Sequence, residues 1–195
     1  MSQLLLASAS PRRAQLLKQL GFQFIQRATD IAEVRQPNES ATAYVQRLAR
    51  EKAQAGWAQL GTPWVALGSD TLIAHANEVM EKPADEDECV RMLQALSDTQ
   101  HEVHTAIAVT DGSRTLTELV TSRVTFRKVT EAECRAYWRS GEPQDKAGAY
   151  AIQGMGGRFV SELQGSCSAV VGLPLCETEQ LLAQFGCYSG FGSRT

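Results

Sequence analysis

The chain has 195 residues, 43% of them hydrophobic and 21% charged, with a formal net charge of -3. A chain of that length buries a sizeable core without disulfides or structural metal, and the composition excludes disordered, collagen-like and low-complexity classes. The acidic balance argues against nucleic acid or an anionic membrane as partner, and no apolar run approaches the roughly 18 residues of a spanning helix. In chain order, Gln3 to Ala7 reads as a short buried strand. Ser10 then offers an N-cap, Pro11 the first helical position, Leu16, Leu17 and Leu20 an apolar stripe, and Gly21 a stop. A strand near Phe22 to Arg27 and a polar loop through Pro37 lead to a long helix from about Ser40 to Ala58. Trp64 to Ala74 is predicted as a buried strand interrupted at Gly68-Ser69-Asp70-Thr71, with Asn77-Glu78 as a turn back toward Val79-Met80. Asp85 to Glu88 opens another helix, its first and last carboxylates spaced as a capping box. Two alternating strands, near Glu102 to Thr110 and Thr115 to Lys128, join at Asp111-Gly112. Thr130 and Glu133 cap a helix through Trp138, and Asp145 to Gly157 is Gly-rich and irregular. Phe159 to Leu163 is a strand and Leu175 to Phe185 the last helix. Strands that come both as hairpins and beside helices predict an α/β class with a mixed sheet. One α/β domain in two lobes is expected over residues 1–186, with a frayed tail over 187–195.

Five cysteines, Cys89, Cys134, Cys167, Cys176 and Cys187, are odd in number and widely spaced, so reduced buried thiols are expected rather than disulfides or a zinc site. The basic pair Arg12-Arg13 follows the first short apolar run instead of preceding it, the wrong polarity for a secretory signal. A cytoplasmic location is therefore expected.

Three features carry chemistry. In Ser8-Ala9-Ser10-Pro11-Arg12-Arg13 a strand ends, two hydroxyls appear and two guanidinium groups enter the first turn of a helix. Helix N-termini favour anions, so paired arginines there suit either an exposed helix start or a bound phosphate group. The chain has only five lysines, and three directly follow a carboxylate: Glu51-Lys52, Glu81-Lys82 and Asp145-Lys146. Each is a solvated surface charge or a compact ammonium placed for a polyphosphate. Asp70, framed by apolar strand and small residues, is a capped turn, a general base or a metal ligand. His101 and His104 are three apart on a predicted strand and face opposite ways, so they do not share a metal, and no G-x-S-x-G or P-loop is present. Trp57, Trp64 and Trp138 read as packing residues.

In order along the chain, Leu6-Ala7-Ser8-Ala9-Ser10-Pro11-Arg12-Arg13, Glu33, Ala49-Arg50-Glu51-Lys52-Ala53, Gly68-Ser69-Asp70-Thr71, Glu81-Lys82-Pro83, Asp145 to Tyr150 and Gln153-Gly154 resemble the Maf family, from about Leu4 to Phe185. That family comprises nucleoside triphosphate pyrophosphatases named after inhibition of septum formation. The resemblance implies an inosine-triphosphatase-like fold, two lobes with a long mixed sheet and a nucleotide cleft. It also implies a divalent-metal-dependent cut between the α and β phosphates, releasing pyrophosphate. The residue matching Asp70 is the family's proposed proton acceptor, and those matching Arg12, Thr71 and Gln153 are linked to substrate choice. The branch acting on dTTP and UTP carries Arg, Thr and Gln there, as this chain does, whereas the 7-methyl-GTP branch has Trp at the Arg12 position. Ser69 stands where many relatives have alanine, and Asn77 where a turn glycine is usual. A homodimer is the family's expectation.

On this reading Mg²⁺ or Mn²⁺ bridges phosphate oxygens, Glu33 helps to hold it, and Asp70 either orients and deprotonates the attacking water or ligates the metal. Arg12, Arg13, Lys52 and Lys82 offset phosphate charge, with Ser8 and Ser10 as added donors and Asp145-Lys146 organising the wall. The Gln153 amide matches uracil at two points, with Thr71 a candidate for fixing its orientation. The competing expectation is a non-enzymatic regulator that binds a cell-division partner.

Overall fold

The computed structural model describes residues 3–76 and 78–190. The chain folds as two compact units. The first runs up to Asp70, then takes Thr105–Val120 and the chain from Gly172; the second takes Thr71–His104 and Thr121–Val171. Seven strands form one sheet in the order β2-β1-β3-β5-β6-β7, with β4 added on β3. Strand β1 (Gln3–Ala7) runs parallel to β2 (Phe24–Arg27) and to β3 (Trp64–His75), whereas β4 (Glu78–Met80) returns antiparallel to β3. Strand β6 (Thr115–Phe126) pairs antiparallel with β7 (Val160–Gln164), and β5 (Gln100–Thr110) lies between β3 and β6. The sheet is mixed and the class α/β, as the alternation of elements predicts.

In the first unit, β1 is buried from Leu4 to Ala7. Helix α1 (Pro11–Gln19) begins as the sequence demands: the Ser10 side chain accepts from the Arg13 N–H, and Pro11 fixes the first turn. Ser40 caps α2 (Ala41–Ala58) in the same way. Ala49, Ala53 and Gly56 recur along one face of α2, and this small-residue face lies on the strands. A Cβ on Gly56 would come 2.5 Å from that of Ala7, and one on Gly68 would come 2.3 Å from the Ala49 carbonyl oxygen. Close approach, not a chain break, therefore explains Gly68. The predicted interruption at Gly68-Ser69-Asp70-Thr71 is absent, and β3 runs unbroken for 12 residues.

The last helix, α6 (Leu175–Ala183), buries Leu181 and Leu182 in the same unit. The described part of the tail is not frayed. Cys187 and Ser189 are buried, Ser189 donates to Glu179 Oε1 (3.0 Å), and the Gly190 N–H donates to the Gly21 carbonyl (3.3 Å).

The second unit has its own core, built from α3 (Glu86–Leu96), α4 (Glu131–Arg139) and the strand segments beside them. Thr130 and Glu133 form the predicted capping box on α4. At α3 the Asp85 side chain caps the Glu88 N–H, but the Glu88 carboxylate reaches Ala84 N, one residue beyond the predicted partner. Three short turns of 3₁₀ helix, Glu142–Asp145, Ala147–Ala149 and Met155–Phe159, organise the Gly-rich region. A five-residue helix, α5 (Cys167–Val171), follows β7 and is too short to show a period in sequence. The predicted turn residue Asn77 lies outside the described residues. Of the cysteines, Cys89, Cys134 and Cys187 are buried as expected, whereas Cys167 and Cys176 are exposed; all five are free thiols.

Both histidines on β5 are buried and structural. His104 Nδ1 bonds the Thr121 hydroxyl (2.9 Å), and His101 Nε2 bonds the Tyr150 hydroxyl (2.8 Å) inside an edge-to-face cluster with Phe126. Burial lowers His101 to about 4. Below its ordinary pKa of 6.5 the unfolded chain binds a proton that folded His101 refuses until about pH 4, so stability falls as pH falls through that window. The expected loss from His101 is about 2 kcal/mol between pH 7 and pH 5. Urea denaturation at the two pH values checks it, and equal stabilities would contradict it.

Candidate active site

Lys52 sits on α2 where the helix presses onto β3, and it is buried. Its Nζ lies 2.7 Å from Asp70 Oδ1 and 2.8 Å from Glu33 Oε1. Two carboxylates, one buried on β3 and one on the loop before α2, thus meet at one ammonium. Burial raises the pKa of Asp70; Lys52 first, then Arg13, pull it back down, and Glu33 adds to the rise. The result is a carboxylate with a higher proton affinity than usual, held in place by a cation. That is the pattern of a general base tuned toward neutral pH.

The second half of the site is the β1–α1 junction. Ser8 is buried, and its Oγ accepts from the Ser10 N–H (3.2 Å) and from Arg13 Nη1 (3.3 Å). Arg13 Nε donates to the Gly172 carbonyl (3.0 Å), which also accepts from the Ser69 hydroxyl (2.9 Å). Burial lowers the pKa of Arg13, while Asp70 and then Glu33 raise it, so the guanidinium shares the field of the Lys52 pair. The first turn of α1 holds no acidic residue. A helix N-terminus, a fixed guanidinium and hydroxyl donors therefore face one region beside a buried acid, which suits phosphate oxygens.

Of the predicted site residues, Ser8, Ser10, Arg13, Glu33, Lys52 and Asp70 are brought together in the first unit. Arg12, on the same turn of α1, is partly exposed. Thr71 is half-buried, Lys82 and Gln153 are exposed, and all three belong to the second unit. The acid–lysine steps do not act alike. Glu51 pairs with Arg47 rather than with the site, and Lys146 pairs with its own neighbour Asp145.

Sequence reasoning missed the Gly172 carbonyl that accepts from both Arg13 and Ser69, because a backbone acceptor 159 and 103 positions from its donors leaves no local signal. Ser69→Ala is expected to destabilise the fold by about 1 kcal/mol, since the carbonyl keeps its Arg13 donor. Urea denaturation measures this, and a loss above about 3 kcal/mol would give Ser69 a larger role. Also missed was the fastening of the Glu33 loop. Arg47 grips Glu39 at 2.7 and 2.9 Å and donates to the Val34 carbonyl (2.9 Å), and Arg47 holds the Glu39 carboxyl down at about 2.

Among the described residues no group of three or more His, Cys, Asp and Glu is assembled for a metal. The pair Asp70 and Glu33 is nonetheless the hard oxygen donor set that Mg²⁺ uses when phosphates and water complete its shell.

The Maf-like protein family model matches residues 3–185. A dTTP/UTP pyrophosphatase from Escherichia coli O6:K15:H31 is 53% identical over 185 residues, covering 95% of this chain and 94% of that protein. A dTTP/UTP pyrophosphatase from Vibrio cholerae serotype O1 is 50% identical over 184 residues, covering 94% of this chain and 98% of its own. A solved nucleoside-triphosphatase / dITP/XTP pyrophosphatase from Mycobacterium abscessus is 16% identical with a TM-score of 0.44, over 65% of this chain and 74% of that one, too distant to carry an argument. With the family model spanning all but the ends and relatives half-identical along nearly the whole length, the chain belongs to the Maf-like protein family.

Proposed function

We propose that the chain hydrolyses dTTP and UTP to the monophosphate and pyrophosphate, with Asp70 as the base that activates water at the α-phosphorus. The observation that carries this is the buried Asp70–Lys52 ion pair, joined by the exposed Glu33, beside Arg13. Relatives half-identical over almost the whole chain, named for this activity, support the substrate class. Lys52 occupies Asp70 Oδ1, so Oδ2 is the oxygen that takes the proton from water. Arg13, anchored on Gly172 and Ser8, holds phosphate charge in a fixed direction, and Arg12 on the same turn adds to it. Glu33 would help to hold Mg²⁺ or Mn²⁺, which would supply charge neutralisation on the leaving pyrophosphate. Gln153 reads the uracil or thymine edge with a donor and an acceptor, and Thr71 fixes its amide.

The test is hydrolysis of a panel of normal and 7-methylated nucleoside triphosphates with Mg²⁺ or Mn²⁺, scoring pyrophosphate. Turnover of dTTP and UTP above all others is the expected outcome. A preference for 7-methyl-GTP would overturn the base assignment, and stepwise release of orthophosphate would overturn the reaction. Turnover of no triphosphate would move the reading to a binding protein.

A further inference from the structure

Gln153 lies on an exposed loop of the second unit whose two flanks are held by a single pair of side chains. Glu142 Oε2 accepts from the Met155 N–H (2.9 Å), and Oε1 accepts from the Gly156 N–H (3.0 Å) and from the Tyr137 hydroxyl (2.6 Å). The same hydroxyl oxygen accepts from the Ala151 N–H (3.1 Å), on the other side of Gln153. The Gly154 N–H donates to the Ala151 carbonyl (3.1 Å) and closes the loop. Two glycines make room for this clamp. A Cβ on Gly154 would stand 2.2 Å from Glu142 Oε2, and one on Gly156 would stand 2.6 Å from the Tyr137 hydroxyl. Residues 155 and 156 are thus tied by charge-assisted bonds to a carboxylate on the turn after α4, and residue 151 by a neutral bond to a phenol on α4.

An amide that reads a base by two hydrogen bonds discriminates only if its backbone is fixed, because the reversed donor–acceptor pattern of cytosine is satisfied by a modest reorientation. We propose that Glu142 and Tyr137 are positioning residues that set base selectivity by fixing the Ala151–Gly156 loop around Gln153. The proposal rests on the reading of Gln153 as the base-contacting residue.

The test measures kcat and KM for UTP, dTTP and CTP in Glu142→Ala, Tyr137→Phe, Gln153→Ala and the double variant Glu142→Ala with Gln153→Ala, with thermal unfolding alongside. Glu142→Ala is expected to lower the UTP-over-CTP preference about tenfold, chiefly through KM for UTP, with kcat nearly unchanged. Tyr137→Phe keeps the ring in the core and is expected to lower the preference less, in the same direction. Once Gln153 is alanine, adding Glu142→Ala should change the preference no further. A folded Glu142→Ala or Tyr137→Phe protein with the parent preference overturns the proposal; if Glu142→Ala does not fold, Tyr137→Phe decides. A purely structural role would lower kcat and stability for all three nucleotides alike, which also overturns it. Gln153→Ala alone with an unchanged preference would remove Gln153 as the reader, whereas a preference lost in Glu142→Ala would still place the selectivity in this loop.

Discussion

Asp70→Asn is expected to slow pyrophosphate release from UTP about a thousandfold while the protein stays folded. Asparagine keeps the shape of the side chain but takes no proton from water. Lys52 retains Glu33 at 2.8 Å, so the ammonium is not stranded by the change. The pH profile of the parent protein carries the same information. As the proposed base, Asp70 would act only when ionised, and burial lifts its pKa above the usual carboxylate range. Activity should therefore fall as pH drops through a point higher than an exposed aspartate would give. Steady-state rates across pH, with circular dichroism on the variant, check both parts. A variant within tenfold of the parent would take the role of base away from Asp70.

Lys52→Met should act on stability and chemistry together. Methionine fills the space of the lysine stem but leaves Asp70 buried without its ammonium, a loss of about 3 kcal/mol at pH 8 when the carboxylate is charged. A carboxyl whose folded pKa is raised weakens the fold above that pKa and ceases to do so when protonated, so the deficit should shrink as pH falls through it. Lys52 is the largest influence holding Asp70 down, so its removal should also shift the acid limb of the rate profile to higher pH. Urea denaturation at pH 5 and pH 8, with the rate profile, measures both. An unmoved acid limb would mean that Lys52 does not tune Asp70.

Much of the architecture is written locally. Ser10-Pro11, Ser40 and Thr130 with Glu133 declare three helix starts, and the structure uses each in that way. The continuity of β3 is not local. Gly68 looks like a break until α2 is laid against it, and only then does the absence of a side chain become a packing requirement. The site divides along the same line. Ser8 and Arg13 are five residues apart and legible as one motif, which the structure closes into a hydrogen bond. The meeting of Lys52 with Asp70, 18 residues on, and with Glu33 on a loop depends on the tertiary placement of α2. The carboxylate preceding Lys52 gave no guide to it, because Glu51 serves Arg47. The Glu142–Tyr137 clamp shows the same limit: its partners lie up to 14 residues away in irregular chain, with no period to announce them.

The most direct measurement is a single turnover of UTP in heavy-oxygen water, with the label traced in both products. With water attacking at the α-phosphorus, as proposed for Asp70, the label should appear in UMP and not in pyrophosphate. Label in pyrophosphate, or release of orthophosphate, would contradict it.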